Sequence, residues 1–247
     1  MRAVVFVSSV QNPEEKLVLE ERRFCPVQET VIGNDFDGIA LESAVRLKES
    51  GVFDEVVVFS AMPDNGPILK ALAMGADRAV WCEADNGRLT PELVVETALG
   101  ALEAEDDTVW FLGKLGVNFE MHVTAQRLAA RLGVPCVSSV SAIECEGATF
   151  RLTCEDDAGT PVFEVKAPFV LTADLRLAEP RFPSLPNILR ARRKPVVRVD
   201  LVGAEKPSDG RAPMTHHLAW LDGASRACHF IDTEAFLERM SVVREGK

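Results

Sequence analysis

Between Ala3 and Val140 the chain alternates short apolar, β-branched runs with stretches whose apolar residues recur at helical spacing, and few folds accommodate that order. The runs are AVVFVSSV (3–10), EVVVFSA (55–61), RAVWC (78–82), TVWFL (108–112) and VPCVSSV (134–140). Between them the spacing predicts helices over 35–50, 65–75, 90–104 and 118–132. The first has Asn34 at its cap position, Asp35 and Asp37 in its first turn, and Gly51 at its end. Its residues Phe36, Ile39, Ala40, Ala44 and Leu47 follow helical spacing, and Thr90-Pro91 opens the third helix. Residues 17–24, LVLEERRF, suit a small strand or hairpin arm. Strands alternating with helices of this length form a parallel sheet covered on both faces and joined by right-handed crossovers. The expectation to residue 140 is an α/β, doubly wound, mainly parallel sheet.

From 141 the period changes. SAIECEGATFRLTCEDDAGTPVFEVKAP alternates apolar and polar positions, with turns at Gly147 and Asp157–Gly159, which predicts an antiparallel meander over 141–168. FVLTA (169–173) returns to a buried strand. Pro180, Pro183 and Pro186 then exclude a long helix or a central strand, so 171–195 is expected to be largely loop. That segment nevertheless holds Leu175, Leu177, Phe182, Leu185, Ile188 and Leu189, and ends in Arg190, Arg192, Arg193 and Lys194. Residues 196–247 read as a Pro- and Gly-rich extended arm with a terminal helix near 232–241, either disordered or laid on a partner. The division is therefore 1–195 and 196–247.

The net charge of −11 argues against broad attraction to nucleic acid or anionic lipid, which makes the basic run a local exception. No apolar stretch approaches a membrane span and the acidic N-terminal region does not suit a signal peptide, so a cytoplasmic protein without membrane insertion is expected. Six cysteines without a C-x-x-C pair suggest reduced thiols, and adjacent His216 and His217 suit a surface better than a metal site.

No Ser-His-Asp set, G-x-S-x-G elbow, P-loop or G-x-G-x-x-G follows any strand. The nearest glycine-rich element is FLGKLGVNFEMHVTAQ, where Gly113 and Gly116 sit between a buried strand and a helix. That place is either a ligand loop at the strand C-terminal edge or a tight turn with no ligand. The acidic pairs Asp106-Asp107 and Asp156-Asp157 read as solvated turns. Side-chain chemistry favours a binding or carrier protein over an enzyme.

The stretch TADLRLAEPRFPSLPNILRA (172–191) resembles the electron transfer flavoprotein beta subunit family, whose pattern is T-A-D-L-R-L-x-E-P-R-x-x-x-L-P-N-I-x-x-A. ALESAVRLKE (40–49) and ALAMGADRAV (71–80) are similar to family stretches as well. The resemblance implies a Rossmann-like fold of the adenine-nucleotide alpha-hydrolase-like kind. It also implies a heterodimer with an alpha subunit, an FAD at the interface mostly on the alpha side, and electron shuttling from a flavin-dependent dehydrogenase to an acceptor. In relatives the Leu-Pro-Asn-Ile stretch is a recognition loop that inserts a leucine into the partner dehydrogenase. Here it is Leu185, Pro186, Asn187 and Ile188, the alternative being that Leu185 is core under a long loop. Phe36 matches an aromatic near the flavin ring, with Asn34 beside it, and Glu155 matches an acid that pairs with the alpha subunit. Their ordinary alternatives are a core phenylalanine, a helix cap and a solvated turn acid.

One departure stands out. Relatives bind AMP, or a second FAD in electron-bifurcating members, through a loop like G-K-Q-x-x-D-x-D-x-x-Q-T. This chain keeps Gly113, Lys114 and Thr124 but has Leu115, Asn118, Glu120 and Val123 at the polar positions. Phe6 also stands where relatives often have a small residue. The expectation is that AMP binding is weakened or lost and that side chains fill the site. A stand-alone adenine-nucleotide-binding protein, sensor or enzyme, is the other reading of the same fold.

Overall fold

β1 (Arg2–Phe6) is the hub of a sheet whose two halves wind outward from it in opposite directions. The computed structural model describes residues 1–202 apart from 13, 21–22, 27–29, 85–88, 117–121 and 158. To one side of β1 lie β6 (Glu55–Ala61), β7 (Arg78–Cys82) and β13 (Val196–Val199), all parallel. To the other lie β8 (Thr108–Gly113), β12 (Phe169–Ala173) and β9 (Cys136–Glu146), also parallel. The meander β9–β10 (Thr149–Cys154)–β11 (Val162–Lys166) closes that edge antiparallel. The nine strands run in the order β11-β10-β9-β12-β8-β1-β6-β7-β13.

Alternation along the central strands divides the core between the two faces. Val5, Val58, Val109 and Phe111 pack beneath α1 (Asp35–Glu49) and α2 (Gly66–Met74), with Ile39, Leu41, Ile68 and Leu72. Val4, Phe6, Val57, Phe59 and Trp110 pack beneath α3 (Pro91–Ala101) and α4 (Thr124–Leu132), with Val95 and Leu128. Phe53 stacks on Phe150 and meets Phe111 edge-on, which continues the first face into the meander. Thr90 caps α3 by accepting from the Leu93 N–H at 3.3 Å, as its sequence position predicts.

Four details differ from the sequence expectation. The run 3–10 is not one strand: it breaks after Phe6, and Ser9–Gln11 (β2) pairs instead with Val31–Gly33 (β5). Asn34 occupies the cap position of α1 but makes no side-chain cap; its Nδ2 donates to the Leu115 carbonyl instead. The segment expected to be largely loop contains a short helix, α5 (Leu185–Ala191), which starts with Pro186 in its first turn, where a missing N–H costs nothing. Residues 196–199, counted with the arm, form the edge strand β13.

The chain divides into two compact units, and every described element above belongs to the larger. The hairpin β3 (Leu17–Glu20) and β4 (Arg23–Pro26) falls to the second, and the arm beyond Val202, with its expected terminal helix and His216 and His217, lies outside the described residues. No helix among the described residues is long and apolar enough to cross a membrane.

Candidate functional site

The chain order jumps from β7 to β8 across β1, so the strand C-terminal ends of β1, β6 and β8 splay at a topological switch point. A cleft of about 170 Å³ opens there. Phe6 and Phe59 line it from the sheet, Asn34 and Asp37 from the start of α1, Gly113–Gly116 from the loop after β8, and Thr124 from the start of α4. Phe6 does not fill it. Its ring lies 4.9 Å from Phe59 and 6.3 Å from Trp110, centroid to centroid, and forms part of the wall. The expectation that side chains close the site is corrected accordingly.

Asp37 ties the cleft together. Its Oδ2 accepts from the Ser8 N–H at 2.9 Å and the Ser8 hydroxyl at 2.6 Å, and its Oδ1 accepts from the Gly113 N–H at 3.1 Å. One carboxylate thus bridges the chain leaving β1, the end of β8 and the first turn of α1. Burial pushes its pKa up to about 6 although the hydrogen bonds from Ser8 and Gly113 favour the ionised form. An acid in a first helical turn reads in sequence as a generic dipole partner, so this role was not legible there. Ser8 carried no signal at all.

The other residues expected at a cofactor are distributed around the same rim. Asn34 Nδ2 donates to the Leu115 carbonyl at 2.9 Å, pinning the loop after β8, and its buried Oδ1 has no partner among the described residues. The buried Ser60 hydroxyl likewise has none among them. Phe36 is half-buried against Gly113. Lys114 lies on the cleft but its Nζ is paired with Asp174 Oδ2 at 3.2 Å. Asn118 and Glu120 lie outside the described residues.

The residues expected at a protein partner lie apart from the cleft. Phe182 is 99% exposed and Leu185 68%, and Ile188 and Leu189 on α5 are exposed as well, so Leu185 is not core. Pro186 and Asn187 are exposed in the first turn of α5. Arg190, Arg192 and Arg193 are exposed, whereas Lys194 is drawn inward: its Nζ donates to the Leu72 and Ala76 carbonyls at the end of α2. Glu155 directly follows β10, in the connection to β11, and pairs with Arg176 at 2.6 Å. Among the described residues no group of His, Cys, Asp and Glu side chains is arranged to hold a metal, and burial raises the pKa of all four described free thiols, Cys82, Cys136, Cys145 and Cys154.

Residues 28–203 match the Electron transfer flavoprotein domain. The Electron transfer flavoprotein subunit beta of Bradyrhizobium diazoefficiens is 42% identical over 165 residues, 66% of this chain and 66% of that protein. The protein of the same name from Pongo abelii is 34% identical over 226 residues, 89% of this chain and 86% of its own. That from Homo sapiens is 36% identical over 191 residues, covering 75% and 72%. The chain belongs to the electron transfer flavoprotein beta subunit family. This favours the electron transfer flavoprotein reading over a stand-alone nucleotide sensor. In this electron transfer flavoprotein beta subunit the cleft and the exposed segment around Leu185 are two separate surfaces.

Proposed function

We propose that this chain is the non-catalytic half of a cytoplasmic electron carrier, paired with an electron transfer flavoprotein alpha subunit that holds most of the FAD. When bound, FAD supplies the one- and two-electron redox chemistry. This chain's residues supply position and exclusion: the half-buried Phe36 offers an apolar rim to a flavin, and α1 behind it is a rigid support. The arm beyond residue 202 is read as lying on the alpha subunit, and Glu155 as the acid facing it. No nucleic acid partner or membrane insertion belongs to this reading.

The observation that carries the docking task is the exposed apolar run Phe182, Leu185, Ile188 and Leu189 with three exposed arginines beside it, on a chain of net charge −11. Held by flanking prolines, Leu185 is a pre-organised anchor for a flavin-dependent dehydrogenase, and the arginines suit an acidic rim around its pocket.

AMP fits the cleft poorly. The unpartnered Asn34 Oδ1 and Ser60 hydroxyl would welcome the donors of a base, but a phosphate would meet the Asp37 carboxylate and a Lys114 already neutralised by Asp174. Residues 117–121, Val-Asn-Phe-Glu-Met, add an acid and no base to the loop. Co-expression with an alpha subunit, followed by an absorption spectrum and analysis of acid-released nucleotides, is expected to give one FAD per heterodimer and no AMP. A colourless complex, or no complex, overturns the carrier reading; FAD with stoichiometric AMP leaves it standing and overturns the account of the cleft.

A further inference from the structure

Glu42 is 1% exposed on α1, ionised, and surrounded by a helix face that buries Ile39, Ala40 and Ala44. A desolvated carboxylate there is poor use of a core position if stability alone is at stake, since an apolar residue generally serves as well. Its partners explain it. Arg181 Nε donates to Glu42 Oε2 at 2.8 Å and Nη2 to Oε1 at 3.0 Å, while Nη1 and Nη2 reach Glu49 at 2.6 and 2.8 Å. The Arg181 backbone N–H adds a further bond to Glu42 Oε2 at 3.2 Å. Arg46 completes the set: Nε donates to Glu42 at 2.6 Å and Nη2 to the Glu179 carbonyl at 2.9 Å. Burial pushes the Glu42 carboxyl up, but Arg181 and Arg46 outweigh it and hold it below the usual range.

Every bond in this cluster except that between Glu42 and Arg46 joins α1 to the backbone or side chains of residues 179–181, directly before the exposed Phe182 and Leu185. Pro180 lies against the same helix, its Cγ 3.8 Å from where a Cβ on Gly38 would stand. The far end of the segment is held independently, by Lys194 on the α2 carbonyls and by α5 packed on α2. The exposed anchors are therefore strung between two fixings. The first of these is on the helix whose opening turn carries Phe36, six residues and about 9 Å of helix from Glu42.

We infer that Glu42 and Arg181 are positioning residues for partner docking: their buried ion pair holds residues 179–185 in the docking conformation before the partner arrives and fixes that segment relative to the cofactor-facing end of α1. The inference rests on the reading of Leu185 as the docking anchor. Pre-ordering lowers the entropy lost on association, so its removal weakens docking and leaves the redox centre alone.

The test uses the heterodimer and a flavin-dependent dehydrogenase that reduces it, with Glu42→Gln, Leu185→Ala and the double variant. Glu42→Gln is expected to raise KM for the heterodimer by about tenfold, leaving kcat within about twofold and FAD content unchanged. Amide exchange over 179–185 should quicken while that of β1, β6 and β8 stays as it was. Because the clamp works through the anchor, the double variant should be no worse than Leu185→Ala alone; a merely structural role would make the two effects add. If Glu42→Gln fails to fold, Glu42→Gln with Arg181→Met removes both charges and leaves neither buried alone, and the same KM rise is expected. A raised KM in Leu185→Ala with none in the Glu42 variants overturns the clamp and leaves the docking reading standing. An unchanged KM in Leu185→Ala overturns both.

Discussion

Gly113→Ala is expected to cost about 3 kcal/mol of stability, roughly 10 °C in Tm, and to lower the FAD content of the heterodimer. A Cβ at this position would land on Asp37 Oδ1, 2.8 Å from Phe36 Cβ and 2.9 Å from the Asp37 backbone nitrogen. The last of these is decisive. A flexible side-chain end gives way cheaply, but the Asp37 nitrogen belongs to the first turn of α1, and moving it displaces Phe36 and breaks the bond from the Gly113 N–H to Asp37. Gly116→Ala in the same loop is the control: among the described residues nothing lies within 4 Å of its Cβ, so the change should stay within about 0.5 kcal/mol. Urea unfolding of both variants with flavin absorbance of the reconstituted complexes measures the contrast, and equal effects would refute the steric account.

That contrast marks where sequence reading reaches its limit. In GKLG the two glycines look alike, because what distinguishes them is the approach of α1, an element separated from them by more than sixty residues. The sheet was legible because period and length are local: Val4, Val5, Val57, Val58, Val109 and Trp110 announce strands buried on both faces without reference to one another. The meander was legible through its change of period. The break after Phe6 was not, since Val7 and Ser8 continue the apolar β-branched run; only Asp37, arriving from α1, makes Ser8 a ligand rather than a strand residue. Asn34 failed in the same way, as a good cap by type whose amide is claimed by Leu115. For residues 171–195, the prolines rightly excluded a long helix, yet Pro186 in a first turn permitted a short one. The EPR motif announced a family, but its reason, the fork on Glu42 and Glu49, needs two segments side by side.

Replacing Asp37 by asparagine should abolish an unusual pH dependence. A carboxyl raised from 3.8 to about 6 binds its proton more tightly in the folded state than in the unfolded one. Its contribution to stability is therefore fully present below about pH 4 and is lost as pH rises toward and through 6. Raising the carboxyl from 3.8 to about 6 corresponds to about 3 kcal/mol between those limits. The ion-paired carboxyls act oppositely: Glu42, Glu49 and Glu96 are held low by Arg181 and Arg131, so they stabilise at neutral pH and fail in acid. These opposing contributions overlap in acid, so the Asp37 contribution is read as a difference. Asp37→Asn cannot titrate, and its Nδ2 must face either the Ser8 or the Gly113 N–H, so the variant begins with a donor against a donor. Subtracting its unfolding free energy from that of the unaltered chain at each pH should leave a curve that favours the unaltered chain most near pH 4. The curve should fall by about 3 kcal/mol toward pH 7. A flat difference would mean that Asp37 ionises as an ordinary carboxyl, and a rising one that hydrogen bonds from Ser8 and Gly113 outweigh its burial. The same titration read by carboxyl NMR has its midpoint near 6 only if desolvation prevails, which makes the first turn of α1 an anionic site above that pH and a neutral one below it.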